Sequence, residues 1–182
     1  MSKNRHVALL RGINVGGRNI IKMIDLVASF EAMGFTEVKT HIQSGNVVFS
    51  SKPASKANLT SRIEKKLSDA FGYASLVVLV SAAELELVVS DAPRGFGKQP
   101  DRYRYDVLFV REPLTTEEAL QQVTTKPGVD MVAASEHALY FQRLISKATQ
   151  SHLPRLIQRP VYKSITIRNW NTTTRLLAMV TA

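Results

Sequence analysis

The residues best suited to chemistry lie in a glycine-rich segment near the start of the chain, at positions 11–19. Its glycines allow the backbone to curl, so that successive N–H groups point inward and hold an anion. The flanking arginines can clamp a phosphate or carboxylate through paired hydrogen bonds. The spacing excludes a Walker loop and a dinucleotide fingerprint. A tight turn with glycines at positive φ and Asn14 capping locally is the alternative. The candidate anion-binding residues are Arg11, Gly12, Asn14, Gly16, Gly17 and Arg18.

A second polar segment, Gln43 to Asn46, provides Ser44 and Asn46 as possible ligand contacts. As a nucleophile, Ser44 lacks a base, because His41 lies three residues away on a predicted strand and projects to the opposite face. The segment also lacks the Gly-x-Ser-x-Gly pattern of a nucleophile elbow. Serine, glycine and asparagine are all common turn formers, so a turn is the favoured interpretation.

A third polar segment joins the last predicted strand to the last predicted helix. Arg168 could bind a phosphate there, while Trp170, the only tryptophan, could stack on a base or sugar. The alternative makes Trp170 a core residue, with Asn171 or Thr172 capping the helix. A tryptophan beside a helix start is more often core, so only Arg168 is kept as a candidate ligand contact.

Composition removes several classes of site. The chain has no cysteine, which excludes disulfides, thiolate zinc sites, iron–sulfur clusters and cysteine nucleophiles. Its four histidines do not have metal-site spacing, and no pair of carboxylates stands out as an acid–base couple. We therefore predict no metal and no cofactor, and whether the protein is an enzyme stays open.

The net charge of +9 is concentrated toward the C-terminus: seven Lys/Arg and no Asp/Glu follow Glu136. This segment attracts phosphate, nucleic acid or acidic surfaces, so nucleic acid is a possible partner on charge alone. No apolar run reaches the roughly 18 residues that span a bilayer, and the first residues lack the apolar stretch of a signal peptide. We expect a cytoplasmic protein with no membrane partner; the oligomeric state is left open.

Hydrophobic periodicity predicts the order β-α-β-β-α-β in the first half, followed by a short helix that a Ser81–Glu84 capping box opens. The second half repeats this order and closes with a helix from Thr172 to Val180. The pattern predicts an α+β protein, a duplicated ferredoxin-like (βαββαβ) sandwich with an extra helix after each copy. Residues 93–100, rich in glycine and proline, are the predicted linker between domains at 1–92 and 101–182.

Three blocks of the sequence resemble the bacterial family called domain of unknown function 1697. They are Arg11 to Gly17, Thr40 to Phe49 and Arg168 to Thr172; Met23 and Gly34-Phe35 add to the resemblance, which covers essentially the whole chain. His41 departs from the family, which usually has an aromatic residue there, and this argues against His41 as a catalyst. The resemblance implies a duplicated ferredoxin-like fold and no established activity.

The favoured function is the binding of a phosphate-bearing ligand, such as a nucleotide or phosphorylated metabolite, at the glycine-rich loop, with Ser44, Asn46 and Arg168 as possible neighbours. One alternative is an enzyme that acts on a phosphorylated small molecule. The other is a nucleic-acid or protein interaction module that uses the basic C-terminal half.

Overall fold

The computed structural model describes residues 4–43 and 45–182, which form two compact units. Unit 1 extends to Leu85 and also includes 176–182, while unit 2 comprises 86–175. Each unit contains one four-stranded antiparallel sheet. The predicted α+β class and duplicated ferredoxin-like layout are confirmed. No helix in the described part of the chain is long and apolar enough to cross a membrane.

Unit 1 follows the predicted order of elements, and its sheet has the strand order β2-β3-β1-β4. The elements are β1 (Asn4–Leu10), α1 (Met23–Ala32), β2 (Thr36–His41), β3 (Asn46–Ser51), α2 (Lys56–Phe71), β4 (Val77–Ser81) and α3 (Ala82–Ser90). Alternate strand residues such as Leu10, Phe49 and Leu79 pack with Phe30 of α1 and Ile63 of α2 in one buried core. The two helices therefore cover one face of this sheet.

Unit 2 repeats the layout with the strand order β6-β7-β5-β8. Its elements are β5 (Tyr103–Val110), α4 (Thr116–Gln122), β6 (Asp130–Ala134), β7 (Leu139–Leu144), α5 (Leu153–Ile157) between two 3-10 segments (Ile145–Gln150 and Pro160–Ser164), β8 (Ile165–Asn169) and α6 (Trp170–Thr181). Leu108, Phe141 and Ile165 of the sheet pack with Ala119 of α4 and Leu156 of α5. Short helices thus cover the core-facing side of this sheet.

The central strand of unit 2 is longer than its edge partner. The pairing between β5 and β8 ends where Asp106 lies opposite Asn169, while β5 continues back to Tyr103 in register with β7. The edge of β5 is therefore left open at the point where the chain turns from β8 into α6. This corner holds the polar pocket described below.

The closing helix begins earlier than predicted. It starts at Trp170 and not at Thr172, because the Asn169 side-chain Oδ1 accepts a hydrogen bond from the Thr172 backbone N–H at 2.7 Å. Asn169 is therefore the N-cap, and the expectation that Asn171 or Thr172 has that role is wrong. Several polar residues in a row made the cap position ambiguous in the sequence.

The predicted domains, 1–92 and 101–182 with a linker at 93–100, stay a prediction. In the structure residues 86–100 belong to unit 2 and 176–182 to unit 1. Phe96, inside the predicted linker, is buried and packs edge-on against Tyr105 and Tyr140 at ring-centroid distances of 4.9 and 5.5 Å. The glycine- and proline-rich segment is thus a packed part of unit 2.

Candidate functional site

The tip of the glycine-rich loop is a small hairpin. Val15 and Arg18 form a β-bridge, and the Arg18 N–H donates to the Val15 carbonyl at 3.1 Å. Gly16 and Gly17 between them have φ of +58° and +72°, the signs that a two-residue type I′ turn requires. These two glycines are therefore explained by the turn. The tip is exposed, and Arg18 is exposed with it.

Asn14 holds the loop in place. Its Nδ2 donates to the carbonyls of Ile21 at 3.0 Å and Gln43 at 2.9 Å, and its Oδ1 accepts from the Ile21 N–H at 2.8 Å. The amide is thus engaged by the protein's own backbone. Because one of these bonds reaches Gln43, the glycine-rich loop and the 43–46 turn lie together in unit 1.

The other predicted site residues of unit 1 differ in exposure and in their hydrogen bonds. Ser44 lies outside the described residues. Asn46 is fully buried, and its Nδ2 donates to the His41 carbonyl at 2.9 Å, which holds the turn closed. Arg11 is half-buried, and its backbone N–H donates a hydrogen bond to the Leu76 carbonyl. Gly12 is exposed and has a φ of +68°.

Arg168 lies on β8 in unit 2, so it belongs to a different unit from the other predicted site residues. It is half-buried, and one guanidinium nitrogen donates to the Ile167 carbonyl at 2.9 Å. The structure therefore brings together the first two predicted segments and leaves Arg168 with the second sheet.

A pocket of about 260 Å³ occupies the open corner of the unit 2 sheet. Its charged lining comes from Arg104 and Asp106 on β5 and Arg143 on β7. Arg104 and Arg143 are directly opposite each other in the register, and Asp106 lies two residues further along β5, so all three side chains share one face. Like charges directly opposite in a sheet are destabilising. On its other side Arg143 lies opposite the buried Asp130 of β6, so Asp130 and Asp106 offset part of the repulsion between the two arginines.

The pocket also includes the N-terminal end of α6. Its lining contains the cap Asn169 and the first two helical residues, Trp170 and Asn171. The N–H groups at the start of an α-helix have no acceptor within the helix, and the helix dipole places partial positive charge there. The arginine pair and this helix end therefore both favour negative charge in the same pocket.

Aromatic residues are a further part of the lining; Tyr103 and Tyr105 alternate with Arg104 and Asp106 along β5 and therefore come from the opposite face of the sheet, at its open edge. Tyr103, Tyr105 and Trp170 line the pocket, and Phe96 supports Trp170 edge-on at a centroid distance of 5.2 Å with the rings at 90°. Gly97 packs so closely against the indole that a Cβ there would overlap its Nε1. Trp170 is only half-buried, so it is a pocket residue as well as the core residue favoured from the sequence.

Asp106 is the one acid in the pocket lining. The residue is 8% exposed, and the closest nitrogen of Arg143 lies 3.6 Å from its Oδ2. Burial raises the pKa of Asp106 above its ordinary value, against the opposing charges of Arg143 and Arg104. Desolvation thus outweighs the attraction of the two arginines, as expected when the ion pair is not closed by a hydrogen bond.

Two of three comparisons with known proteins found matches. The model of a family described as "Protein of unknown function (DUF1697)" matches residues 3–140, which is more than half of the chain. The chain belongs to the DUF1697 family. Among solved structures, the fold is similar to that of the conserved bacterial protein SP0830 from Streptococcus pneumoniae. The TM-score is 0.86 and the identity 26%, over 98% of this chain and 99% of that one. No curated protein matches.

Within this DUF1697 chain, unit 1 provides an internal counterpart of the pocket. His6 lies opposite Ser81 as Asp106 lies opposite Asn169, so the start of α3 corresponds to the start of α6. The predicted capping box is present: the Ser81 N–H donates to Glu84 at 2.8 Å, and the Glu84 N–H donates to the Ser81 hydroxyl. The other Glu84 oxygen accepts from Lys56 Nζ at 2.7 Å. A carboxylate of the chain itself therefore neutralises this helix start.

Unit 2 has no such carboxylate in the first turn of α6, where Thr172 occupies the position of Glu84. The arginine pair likewise corresponds in register to the neutral pair Asn4 and Ser51 of unit 1. Unit 2 thus combines extra cations with a helix start that lacks an internal anion. No group of three or more histidines, aspartates or glutamates suited to a metal occurs in residues 4–43 and 45–182.

Arg104, Asp106 and Arg143 are not among the site residues predicted from the sequence. The alternation of residues along β5 could have indicated two of them. Arg104 and Asp106 lie on the same face of the strand as the buried Leu108, where apolar residues are expected. Arg143 could not be added from sequence, because its place beside Arg104 depends on strand register.

Proposed function

We propose that this protein binds a small phosphate-bearing anion in the pocket at the start of α6. The observation that carries the proposal is the directly opposed pair Arg104 and Arg143 in one pocket with the first residues of that helix. A bound anion would attract both guanidinium groups and so outweigh the repulsion between them. The ligand class is the one expected from the sequence, and the place is different.

The comparison of the two units supports this placement. In unit 1 the Glu84 carboxylate accepts from Lys56 Nζ and from the Ser81 N–H at the start of α3. A phosphate bound in unit 2 would accept from arginine and from helix N–H groups in the corresponding position. The chain itself therefore illustrates how an anion is held at this point of the fold.

The glycine-rich loop is the second candidate location for the same ligand. Arg18 at its tip is exposed, but Asn14 is already engaged by the backbone around it. The enzyme and the nucleic-acid or protein interaction module stay alternatives on sequence grounds.

The test is a titration followed by the fluorescence of Trp170, because the only tryptophan of the chain lines the pocket. Inorganic phosphate and ribose 5-phosphate are the probes, at low salt. We expect Arg104→Ala to weaken binding of either probe by about tenfold or more, which corresponds to the loss of one charge-assisted contact. Arg155→Ala is the matched control, since Arg155 is an exposed cation of unit 2 away from the pocket lining.

The same titration distinguishes the two locations, with isothermal calorimetry as a second readout for sites remote from the indole. If Arg18→Ala weakens binding while Arg104→Ala does not, the ligand binds at the glycine-rich loop. If neither probe binds to the wild-type protein at low salt, anion binding itself is refuted. Circular dichroism of each variant establishes that the fold is retained.

A further inference from the structure

The buried acid in the pocket places a requirement on the ligand. Asp106 Oδ2 is buried and accepts no hydrogen bond from any residue that the structure describes. Nε of Arg143, also buried, donates none within the same part of the chain. Buried polar atoms are normally paired, and each exception calls for an explanation. Neither atom is itself accessible, but both side chains line one pocket and keep part of their surface exposed, 25% for Arg143 and 12% for Asp106, so a ligand there can contact the carboxylate and the guanidinium group.

An ionised carboxylate only accepts hydrogen bonds. A ligand that offered only anionic oxygens would satisfy Arg104 and Arg143 but would be repelled by Asp106. The pocket therefore requires two chemistries in one molecule: an anionic group for the arginines and the helix start, and an O–H or N–H donor for Asp106. An acidic side chain that accepts from a ribose hydroxyl is a common solution in nucleotide sites.

The size and walls of the pocket restrict the donor further. A volume of about 260 Å³ is small beside the roughly 300–1,000 Å³ typical of drug-sized ligands. Tyr103, Tyr105 and Trp170 also line the pocket, the two tyrosines from the opposite face of β5 to Arg104 and Asp106, and aromatic residues offer apolar surface at this open edge. A sugar ring combines C–H faces for such walls with hydroxyl donors at its edge.

We infer that the ligand is a sugar phosphate, whose phosphate contacts Arg104 and the start of α6 while a ring hydroxyl donates to Asp106. This inference rests on the proposed function, which it deepens by naming the ligand class. The sugar phosphate is either a free metabolite or the ribose phosphate of a mononucleotide. A neighbouring pocket of about 310 Å³ shares Gly97 and Trp170 with the first and offers room for a base.

The experiment compares two monoesters in the Trp170 titration: ribose 5-phosphate, and propyl phosphate, which has no hydroxyl group. We expect the wild-type protein to bind ribose 5-phosphate about tenfold more tightly, the value of one hydrogen bond to a charged acceptor. Asp106→Asn is nearly isosteric and replaces the charged acceptor with a neutral one. It should reduce that preference to about threefold or less.

The outcomes separate the inference from the proposed function. Equal binding of the two esters, with Arg104→Ala weakening both, overturns the sugar requirement and leaves anion binding intact. If neither ester binds, the proposed function fails and the inference with it. Should Asp106→Asn not fold, the wild-type preference still decides. Adenosine 5′-monophosphate identifies the source, since tighter binding than ribose 5-phosphate indicates a mononucleotide and weaker binding a free sugar phosphate.

Discussion

The two units have the same strand order and both continue from the last strand directly into a helix, yet they treat the start of that helix differently. In unit 1 the helix start is paired internally, since Ser81 and Glu84 cap α3 and Lys56 forms an ion pair with Glu84. The buried Nε2 of His6, the counterpart of Asp106, has no hydrogen-bond partner among the described residues. In unit 2 Asn169 caps α6, and Arg104, Arg143 and the buried Asp106 line the same pocket. The closest approach of Arg143 to Asp106 is 3.6 Å, so this ion pair has no hydrogen bond like that between Lys56 and Glu84. One fold thus carries two helix starts with different charged surroundings, and the difference lies in a few side chains.

The largest expected effect concerns the internally paired polar groups of unit 1. Asn14→Ala removes three hydrogen bonds and places alanine at a φ of +51°. We expect a loss of about 3 kcal/mol in the free energy of unfolding, from hydrogen bonds worth about 1 kcal/mol each, partly replaced by water, and about 1 kcal/mol of backbone strain. Urea denaturation measures it.

Asn14→Gly is the matched control for that substitution, because glycine tolerates positive φ and loses only the hydrogen bonds. Its cost should be lower than that of Asn14→Ala by about 1 kcal/mol. If Asn14→Ala leaves stability unchanged but abolishes phosphate binding, then the side chain contacts a ligand, and the comparison between a closed unit 1 and an open unit 2 is wrong.

The second prediction supplies unit 2 with an anion of its own. Asn171 is exposed, lines the pocket and is the second residue of α6. Asn171→Asp adds a carboxylate with almost no change in shape. Phosphate binding should weaken by about tenfold, while the free energy of unfolding rises by a few tenths of a kcal/mol through the helix dipole.

Calorimetric titration and urea denaturation of the same preparation measure the two changes, and Asn171→Ala removes the amide without adding charge. Unchanged phosphate affinity in the aspartate variant would show that the anion does not bind at this helix end.

The third prediction removes the capping carboxylate at the start of α3 in unit 1. Glu84→Ala removes the capping box and the partner of Lys56, which should cost about 1 kcal/mol of stability. Glu84→Gln should cost less, because glutamine still accepts from the Ser81 N–H. In an Arg104→Ala background, in which we expect weaker binding in unit 2, added phosphate should stabilise Glu84→Ala in thermal unfolding. If phosphate stabilises Arg104→Ala alone to the same extent, the added anion does not replace Glu84.

The fold was predictable because periodicity and capping are local. The order β-α-β-β-α-β follows from apolar spacing, and the Ser81–Glu84 box from residue types three apart. The site was not, because it depends on register: Arg104 and Arg143 are neighbours only through the pairing of β5 with β7. Gly16 and Gly17 were predicted to bind an anion but form a tight turn. The pocket, in contrast, is lined by residues that are distant in sequence.

The smallest effect is a difference in pH dependence between the corresponding buried residues His6 and Asp106. Burial lowers the pKa of His6, opposed by Glu84 and reinforced by Lys56, and burial raises the pKa of Asp106. Neutral His6 therefore contributes stability at pH values above about 6.5, the pKa of histidine in the unfolded chain. This contribution is lost as the pH falls through the lower pKa of the folded state. Charged Asp106 carries a cost above its folded pKa, which disappears as the pH falls toward the unfolded value of about 3.9.

The two variants should therefore diverge from the wild-type protein at opposite ends of the pH range. His6→Asn should flatten the decline in unfolding free energy as the pH falls below about 6.5. Asp106→Asn should be more stable than the wild-type protein at pH values above the raised pKa of Asp106, and the two should converge as the pH falls toward about 3.9. Asp101→Asn, an exposed acid just before β5, is the control. Urea denaturation across this range measures the curves. A lower stability of Asp106→Asn at neutral pH would mean that the acid serves as the counter-ion of Arg143, and unit 2 would then be as self-contained as unit 1.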